Sequence, residues 1–353
     1  MSELHNTPKE VDIQAHMADR ELPLYGIKHE LITVVEETTD DLYGTYPEKR
    51  TIADKTDVGF VLLDKPVNTR SKTAVIIAKE LLSVLGVKKV GYSGTLDPGV
   101  TGLLPLALNS ANKAISVLLI GGKEYVAVMH LHKEVNEKDL RKVFSEFTGK
   151  ISQLPPVRSN VKREYREREI YYSNILEIDG RDVLFRAGVE SGTYIRKLIH
   201  DMGEKLGVGA NMSELRRTKV STLTEKDHLV TLQDLEDAMY YHEKEKDDGF
   251  LNYCIGSIEG AIDFLPKVFV SDSAVDTICH GSPLAVPGVS KMNKFNAGEL
   301  IFMSTLKGEL IGLGRSVLSS DEIVRGKKGI AVKTDSIVMK TGTYPKYQKR
   351  IIS

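Results

Sequence analysis

The sequence predicts an α+β fold followed by a small all-β module, and three observations carry that reading. Strand-like segments follow one another as hairpin-like pieces with helices interspersed, without the strict strand–helix alternation of a parallel α/β sheet. Near Leu265-Pro266 the texture changes to short β-prone runs punctuated by glycine and proline. With 353 residues, 41% of them apolar, the chain has material for two or three domains and a large core.

The elements can be justified in order. SKTAVIIAKELLSVLG reads as a helix, with Ser71 as its cap and Gly86 as its stop. The β-prone VKKV leads into GYSGTLDPGVTG, residues 91–102, where glycines, a proline and small hydroxyl residues surround one carboxylate, Asp97. KEYVAVMHLH, residues 123–132, places Tyr125, Ala127, Met129 and Leu131 on one strand face. Asn136 can cap EKDLRKVFSEFTG, in which Leu140, Val143, Phe144 and Phe147 fall at helical spacing before Gly149. DVLFRAGVE alternates Val183, Phe185, Ala187 and Val189. An SGT turn then launches TYIRKLIHDMGEKLG, a helix stopping at Gly207 with Tyr194 and Arg196 in its first turn. The polar YYHEKEKDDG, residues 240–249, reads as a surface insertion or boundary. KVFVSDSAV, HGSPLAVPGV, GELIFMSTLKGELIGLGRSV and GIAVKTDSIVM then supply the strands of the last module.

Net charge is −1, from 48 basic and 49 acidic residues, so bulk charge gives no argument for a polyanionic partner. Its distribution does. Residues 1–59 hold thirteen acids to six bases, and residues 291–350 hold twelve bases to five acids, so the carboxyl-terminal end could hold a phosphate backbone, although solvated lysines would give the same count. Two cysteines, Cys254 and Cys279, make neither a disulfide framework nor a four-thiolate metal site and suit a reducing compartment. The apolar runs are too short to cross a bilayer and no leader is expected, so the chain reads as neither secreted nor membrane-bound.

No phosphate-binding loop ending in Gly-Lys-Ser/Thr, no dinucleotide fingerprint after a strand and no nucleophile elbow is present. His130 and His132 share a strand face, but no third metal ligand is evident. What remains is Asp97. An Asp-Pro pair is ordinarily a turn former and no more.

The surrounding residues argue otherwise. GYSGTLDPGVTGLLPLAL resembles the catalytic loop of the TruB/dyskerin family of pseudouridine synthases, and KEYVAVMHLH, VESGTYIRKLIHDMGEKLGVGA and ELRRT follow in that family's order. LPKVFVSDSAVDTICHGSPLAVPGVSK and TLKGELIGLGRSV resemble its PUA module. The likeness is greatest to the archaeal dyskerin-type branch, the catalytic subunits of H/ACA ribonucleoproteins, because the chain stops soon after YPKYQKR without a long lysine-rich tail.

The resemblance implies a pseudouridine synthase fold, a mixed and largely antiparallel sheet with flanking helices, plus a PUA pseudo-barrel. It divides the chain into an acidic extension (1–57) expected to pack on the PUA module, a catalytic domain (58–262), the PUA domain (263–347) and a tail (348–353). It implies isomerisation of uridine to pseudouridine in rRNA or tRNA, without cofactor or metal. An H/ACA guide RNA, a target RNA and small ribonucleoprotein proteins bound to the catalytic domain would be the partners. The expected site of action is the cytoplasm for an archaeal-type protein, or the nucleolus for a eukaryotic one.

By its motif Asp97 is the catalytic carboxylate, able to act as nucleophile, proton acceptor or charge stabiliser, roles the sequence leaves open. Arg196 is expected to pair with it and Tyr125 to lie against the target base. Tyr194 and Leu215 line the pocket into which the nucleotide must flip. Arg158, Lys162 and Arg163, with Gly281, Leu284, Pro287, Gly288 and Lys307 of the PUA-like segment, are expected to contact RNA. The family's usual histidine is replaced by Tyr92, from which retained activity with altered base flipping is expected. A stand-alone tRNA pseudouridine synthase and a catalytically silent RNA scaffold are the alternatives.

Overall fold

The computed structural model describes residues 22–23, 30–155 and 162–346. It divides into two compact units, one built on Glu124–Glu214 and the other on Pro23–Lys123 together with the chain from Leu215 onward.

In the first unit the strands Lys123–Leu131, Asp182–Val189, Arg166–Asp179 and Gly149–Gln153 lie side by side in that order. Arg166–Asp179 and Asp182–Val189 form a hairpin closed at the Asp179↔Asp182 pair, and Gly180 takes the φ of +55° that the turn requires. Val183, Phe185, Ala187 and Val189 are all buried, as their alternation demands. The helix Glu137–Glu146 is capped by Asn136, whose side chain accepts the Lys138 N–H, and it sets Phe144 edge-on against Phe185 with ring centroids 5.1 Å apart. The helix Ile195–Lys205 buries Ile195, Leu198, Ile199 and Met202, and Gly207 ends it at φ +72°.

The second unit holds two sheets. In one, Leu229–Val230, Gly59–Lys65, Thr101–Leu108 and the far end of Ala210–Val220 are neighbours in that order, with Val90–Tyr92 also paired to Thr101–Leu108. In the other, the order is Leu31–Thr33, Val289–Asn293, Lys267–Val270, Leu300–Thr305, Leu310–Ser316, Ile330–Ile337 and Leu284–Ala285. The amino-terminal Leu31–Thr33 thus forms an edge strand of the carboxyl-terminal module, antiparallel to Val289–Asn293. One apolar cluster joins Phe60, Leu62, Leu103, Ile115 and Ile262 to Phe302, Leu310, Leu313 and Val338. Beside it Arg50 makes a two-pronged pair with Glu259 (2.8 Å twice), and Glu259 also accepts the Leu310 N–H at 2.9 Å.

Three local expectations need correction. Ser71 is the first residue of the helix Ser71–Leu82 and not its cap, a place taken by Arg70; its hydroxyl is occupied elsewhere, as described below. The SDSAV stretch, expected to be strand, forms the helix Asp272–Cys279, and a second helix, Ser320–Arg325, carries a Ser319–Glu322 capping box. The last module is therefore strands with two short helices. Finally, YYHEKEKDDG continues the helix Leu232–Tyr240 as a π-helical turn, Tyr241–Glu245, ended by Lys246 at φ +58°, so it is not a boundary. The amino-terminal residues 1–21 and the tail from 347 lie outside the described residues. No helix among those described is long and apolar enough to cross a membrane.

Candidate active site

Strand Val90–Tyr92 pairs antiparallel with Thr101–Leu108 in the register Val90↔Leu108 and Tyr92↔Leu106. The Ser93 N–H still reaches the Pro105 carbonyl at 3.0 Å. The chain then leaves the ladder and returns at Thr101, so residues 94–100 bulge from the strand ends. Asp97 opens a tight turn within that bulge, closed when the Val100 N–H donates to the Asp97 carbonyl at 3.0 Å. The main chain of the Asp-Pro pair therefore makes the expected turn, and Asp97 is exposed at its start.

Three buried polar side chains hold the bulge from beneath. Lys65, fully buried at the end of Gly59–Lys65, donates to the carbonyls of Pro66 (2.8 Å), Thr69 (2.6 Å) and Pro98 (3.2 Å). Burial pushes its ammonium below the usual lysine range, and the Asp97 carboxylate pulls it back up. Ser71 both donates to the Leu96 carbonyl and accepts the Leu96 N–H, each at 2.9 Å. Arg217, 1% exposed and the largest fully buried side chain, donates to the Leu103 carbonyl (2.8 Å) and the Gly94 carbonyl (2.9 Å).

The glycines fit this clamp. At Gly94, φ +74°, a Cβ would stand 2.9 Å from Arg217 Nη1; at Gly102, φ +100°, it would stand 2.2 Å from the Arg217 carbonyl oxygen. Thr101 and Gly102 pair in parallel with Arg216 and Arg217, and Arg216 grips Asp64 through both carboxylate oxygens, at 3.0 and 2.8 Å. ELRRT carried the signal for Arg217 as a motif, yet nothing in it shows that the second arginine turns inward. Lys65 and Ser71 reach loop carbonyls and amides 25 to 33 residues away, beyond what local pattern reveals.

The other expected site residues are distributed as follows. Tyr92 is half-buried and packs on the apolar cluster around Leu63, Leu82 and Leu106. Leu215, half-buried, precedes the Arg216–Arg217 pair on the same strand. In the first unit, Tyr125 is half-buried at the end of a face whose Ala127, Met129 and Leu131 are buried. Tyr194 is the N-cap of Ile195–Lys205, its N–H donating to Gln153 Oε1 at 3.0 Å and its carbonyl accepting from Gln153 Nε2 at 3.3 Å. Arg196 is exposed on the first turn of that helix.

Lys162 and Arg163 are exposed, Lys162 within 3.0 Å of Glu164; Arg158 lies outside the described residues. Gly281, at φ +91°, and Pro287 face solvent. Leu284 does not: it is 1% exposed and belongs to the module's core, and Gly288 is there for packing, since a Cβ would press 3.0 Å from Leu284 and 3.1 Å from Ala274. Lys307 also requires correction. It is 5% exposed, and its ammonium donates to the carbonyls of Asp40 (3.0 Å) and Tyr43, so it holds the amino-terminal segment and is not presented to RNA.

Residues 82–195 match the TruB family pseudouridylate synthase N-terminal domain, 196–263 the tRNA pseudouridylate synthase B C-terminal domain, and 266–338 the PUA domain. The chain is 46% identical over 329 residues to the probable tRNA pseudouridine synthase B of Methanopyrus kandleri, covering 93% of this chain and 96% of that one. A solved Cbf5–Nop10–Gar1 complex contains a chain that superposes with a TM-score of 0.87 at 45% identity, covering 93% of this chain and 99% of the other. An H/ACA RNP bound to a substrate RNA containing 2′-deoxyuridine gives 0.86 at 43%, covering 93% and 100%.

Proposed function

The chain belongs to the TruB family of pseudouridine synthases, which are RNA isomerases, and we propose that it is the RNA-guided catalytic subunit of an H/ACA-type ribonucleoprotein. The observation that carries this reading is the end-to-end match to chains solved in a Cbf5–Nop10–Gar1 complex and in a substrate-bound H/ACA RNP. In this reading an H/ACA guide RNA selects uridines, in rRNA foremost, and small partner proteins bind the catalytic domain. The archaeal relatives support action in the cytoplasm.

The uridine is flipped from its stack at a cost of about a few kcal/mol. Its C1′–N1 glycosidic bond is broken, the uracil is turned while held, C5 is joined to C1′, and the proton lost from C5 is balanced by one gained at N1. Asp97 is the reacting carboxylate. Presented by a bend whose interior polar groups are satisfied by Lys65, Ser71 and Arg217, it is positioned without having to be ordered by the substrate. Arg196 and Tyr125 keep the roles that the family resemblance implies, an ion-pair partner and a ring against the base.

Mass-spectrometric detection of pseudouridine in a target RNA, with guide present, tests the reading. Asp97→Asn is expected to abolish product while guide-RNA affinity stays within about twofold, because one carboxylate contributes little to a large phosphate interface. Full turnover by that variant rejects the assignment. The name shared by the curated relatives, tRNA pseudouridine synthase B, favours a second reading, a stand-alone enzyme acting on tRNA. Equal turnover of a tRNA with and without guide would establish it in place of the first.

A further inference from the structure

Strand Lys123–Leu131 reverses the usual order of burial at one position. Tyr125, Ala127, Met129 and Leu131 share one face, so Glu124, Val126, Val128 and His130 share the other. On that second face the two valines and the histidine are half-buried, whereas Glu124 is 4% exposed. A carboxylate that deep must be answered by donors or by opposite charge. The Tyr172 hydroxyl donates to Glu124 Oε2 at 2.5 Å, and Arg186 Nε stands 3.8 Å from the same oxygen.

Tyr172 reaches Glu124 from two strands away. The order Lys123–Leu131, Asp182–Val189, Arg166–Asp179 puts a whole strand between them, and Tyr172 pairs with Gly188 of that strand. A Cβ on Gly188 would stand 2.3 Å from both Cε1 and Cζ of the Tyr172 ring, so the glycine is what lets the ring lie across the middle strand. Arg186, two residues before Gly188 and on the same face, has its guanidinium carbon 5.7 Å from the ring centroid. Its Nε is buried and makes no hydrogen bond among the described residues. At 3.8 Å it balances the charge of Glu124, and the phenol sets the direction of the carboxylate.

A buried group of this kind is a poor source of stability, because apolar side chains of the same volume can hold the strands as well. What it supplies, and an apolar group would not, is direction: one short bond between packed partners sets where the start of strand Lys123–Leu131 lies. Tyr125 is the next residue. We propose that Glu124 is a positioning residue for Tyr125, tied by Tyr172 and charge-balanced by Arg186, and that it fixes the direction in which the Tyr125 ring meets the target base. The proposal rests on the reading of the chain as a pseudouridine synthase with Tyr125 against the base. A ring displaced by about an ångström would lose much of its effect on a reacting base, while RNA held through its phosphates would stay bound.

The test uses the full chain assembled with guide and target RNA. Tyr172→Phe removes only the hydroxyl. Its single-turnover rate of pseudouridine formation at saturating RNA is expected to fall about five- to twentyfold, with target affinity within about twofold, at a temperature where urea unfolding shows the variant folded. Glu124→Gln keeps an acceptor for the phenol and should stay within about threefold of the unsubstituted rate, whereas Glu124→Leu, without one, should be as slow as Tyr172→Phe. Hydrogen exchange adds a readout independent of activity: the amides of residues 124–127 should exchange at least about threefold faster in Tyr172→Phe. An unchanged rate in Tyr172→Phe would overturn the proposal, and so would a rate that follows only the folded fraction or a glutamine variant as slow as the leucine one. Faster exchange in Tyr172→Phe together with no product from the unsubstituted chain would uphold the tie at Glu124 and reject the functional reading, and with it the role of Tyr125.

Discussion

Two regions of the second unit solve the same problem with opposite results. Under the 94–100 bulge, Lys65, Ser71 and Arg217 are buried so that a neighbouring carboxylate can stand exposed. In the carboxyl-terminal module, Lys307, Glu309 and Tyr344 are buried so that nothing is left exposed. Lys307 takes the carbonyls of Asp40 and Tyr43, and Glu309 accepts the Thr45 N–H at 3.0 Å and the Tyr344 hydroxyl at 2.7 Å. Burial and that hydrogen bond push the Tyr344 phenol well above its ordinary range. The first region presents an exposed carboxylate, whereas the second seals the amino-terminal segment onto the module. In both, buried cations answer to main-chain carbonyls, which are the groups a bend or a docked segment leaves without a ladder.

The largest effect should come from breaking the first clamp. Arg217→Met strands the Gly94 and Leu103 carbonyls in a dry interior, and two such losses together cost about 2–5 kcal/mol. Urea unfolding measures that. At a temperature where the variant remains folded, turnover should still fall by about a hundredfold, because displacement of the bend by about an ångström is enough to misplace Asp97. Turnover that tracks only the folded fraction would show that Arg217 serves stability alone.

The second clamp should respond differently. Lys307→Met removes a charged donor from two carbonyls near the surface, for which about 1–2 kcal/mol is expected, again by urea unfolding. Affinity for guide RNA and its salt slope should not change, since the ammonium faces the protein. A slope shallower by about 0.7–0.9 would return Lys307 to the phosphate contacts.

The contrast also explains how much was legible in advance. Asn136, Gly207 and the Val183–Val189 alternation are local signals, read over a few residues, and the structure follows them. Lys307 departs from expectation because a surplus of basic residues does not distinguish a side chain facing solvent from one facing a carbonyl some 260 residues earlier in the chain. Ser71 looks like a cap by local rules, but its hydroxyl serves Leu96. SDSAV reads as strand by its flanking valines, yet it lies directly behind the strand Lys267–Val270 and buries Val275, Ile278 and Cys279 as a helix. Sequence motifs located the exposed carboxylate; the groups beneath it are defined only by three-dimensional neighbours.

Tyr92 offers the finest test of that division, because it ends the strand Val90–Tyr92 just ahead of the bulge and belongs partly to each category. Its backbone pairs with Leu106, and its ring packs on the cluster that also contains Leu63, Leu82 and Leu106, so part of it serves the core. Tyr92→His shrinks that contact and should cost no more than about 1 kcal/mol in urea unfolding. Were the ring purely a packing residue, the single-turnover rate of pseudouridine formation would stay as it is once folding is matched. We predict instead a two- to tenfold change in that rate, with target affinity altered less, because Tyr92 is half-buried two residues ahead of the bend proposed to receive an everted base. A rate unchanged within error would assign Tyr92 to the core and confine the reactive region to the bulge itself.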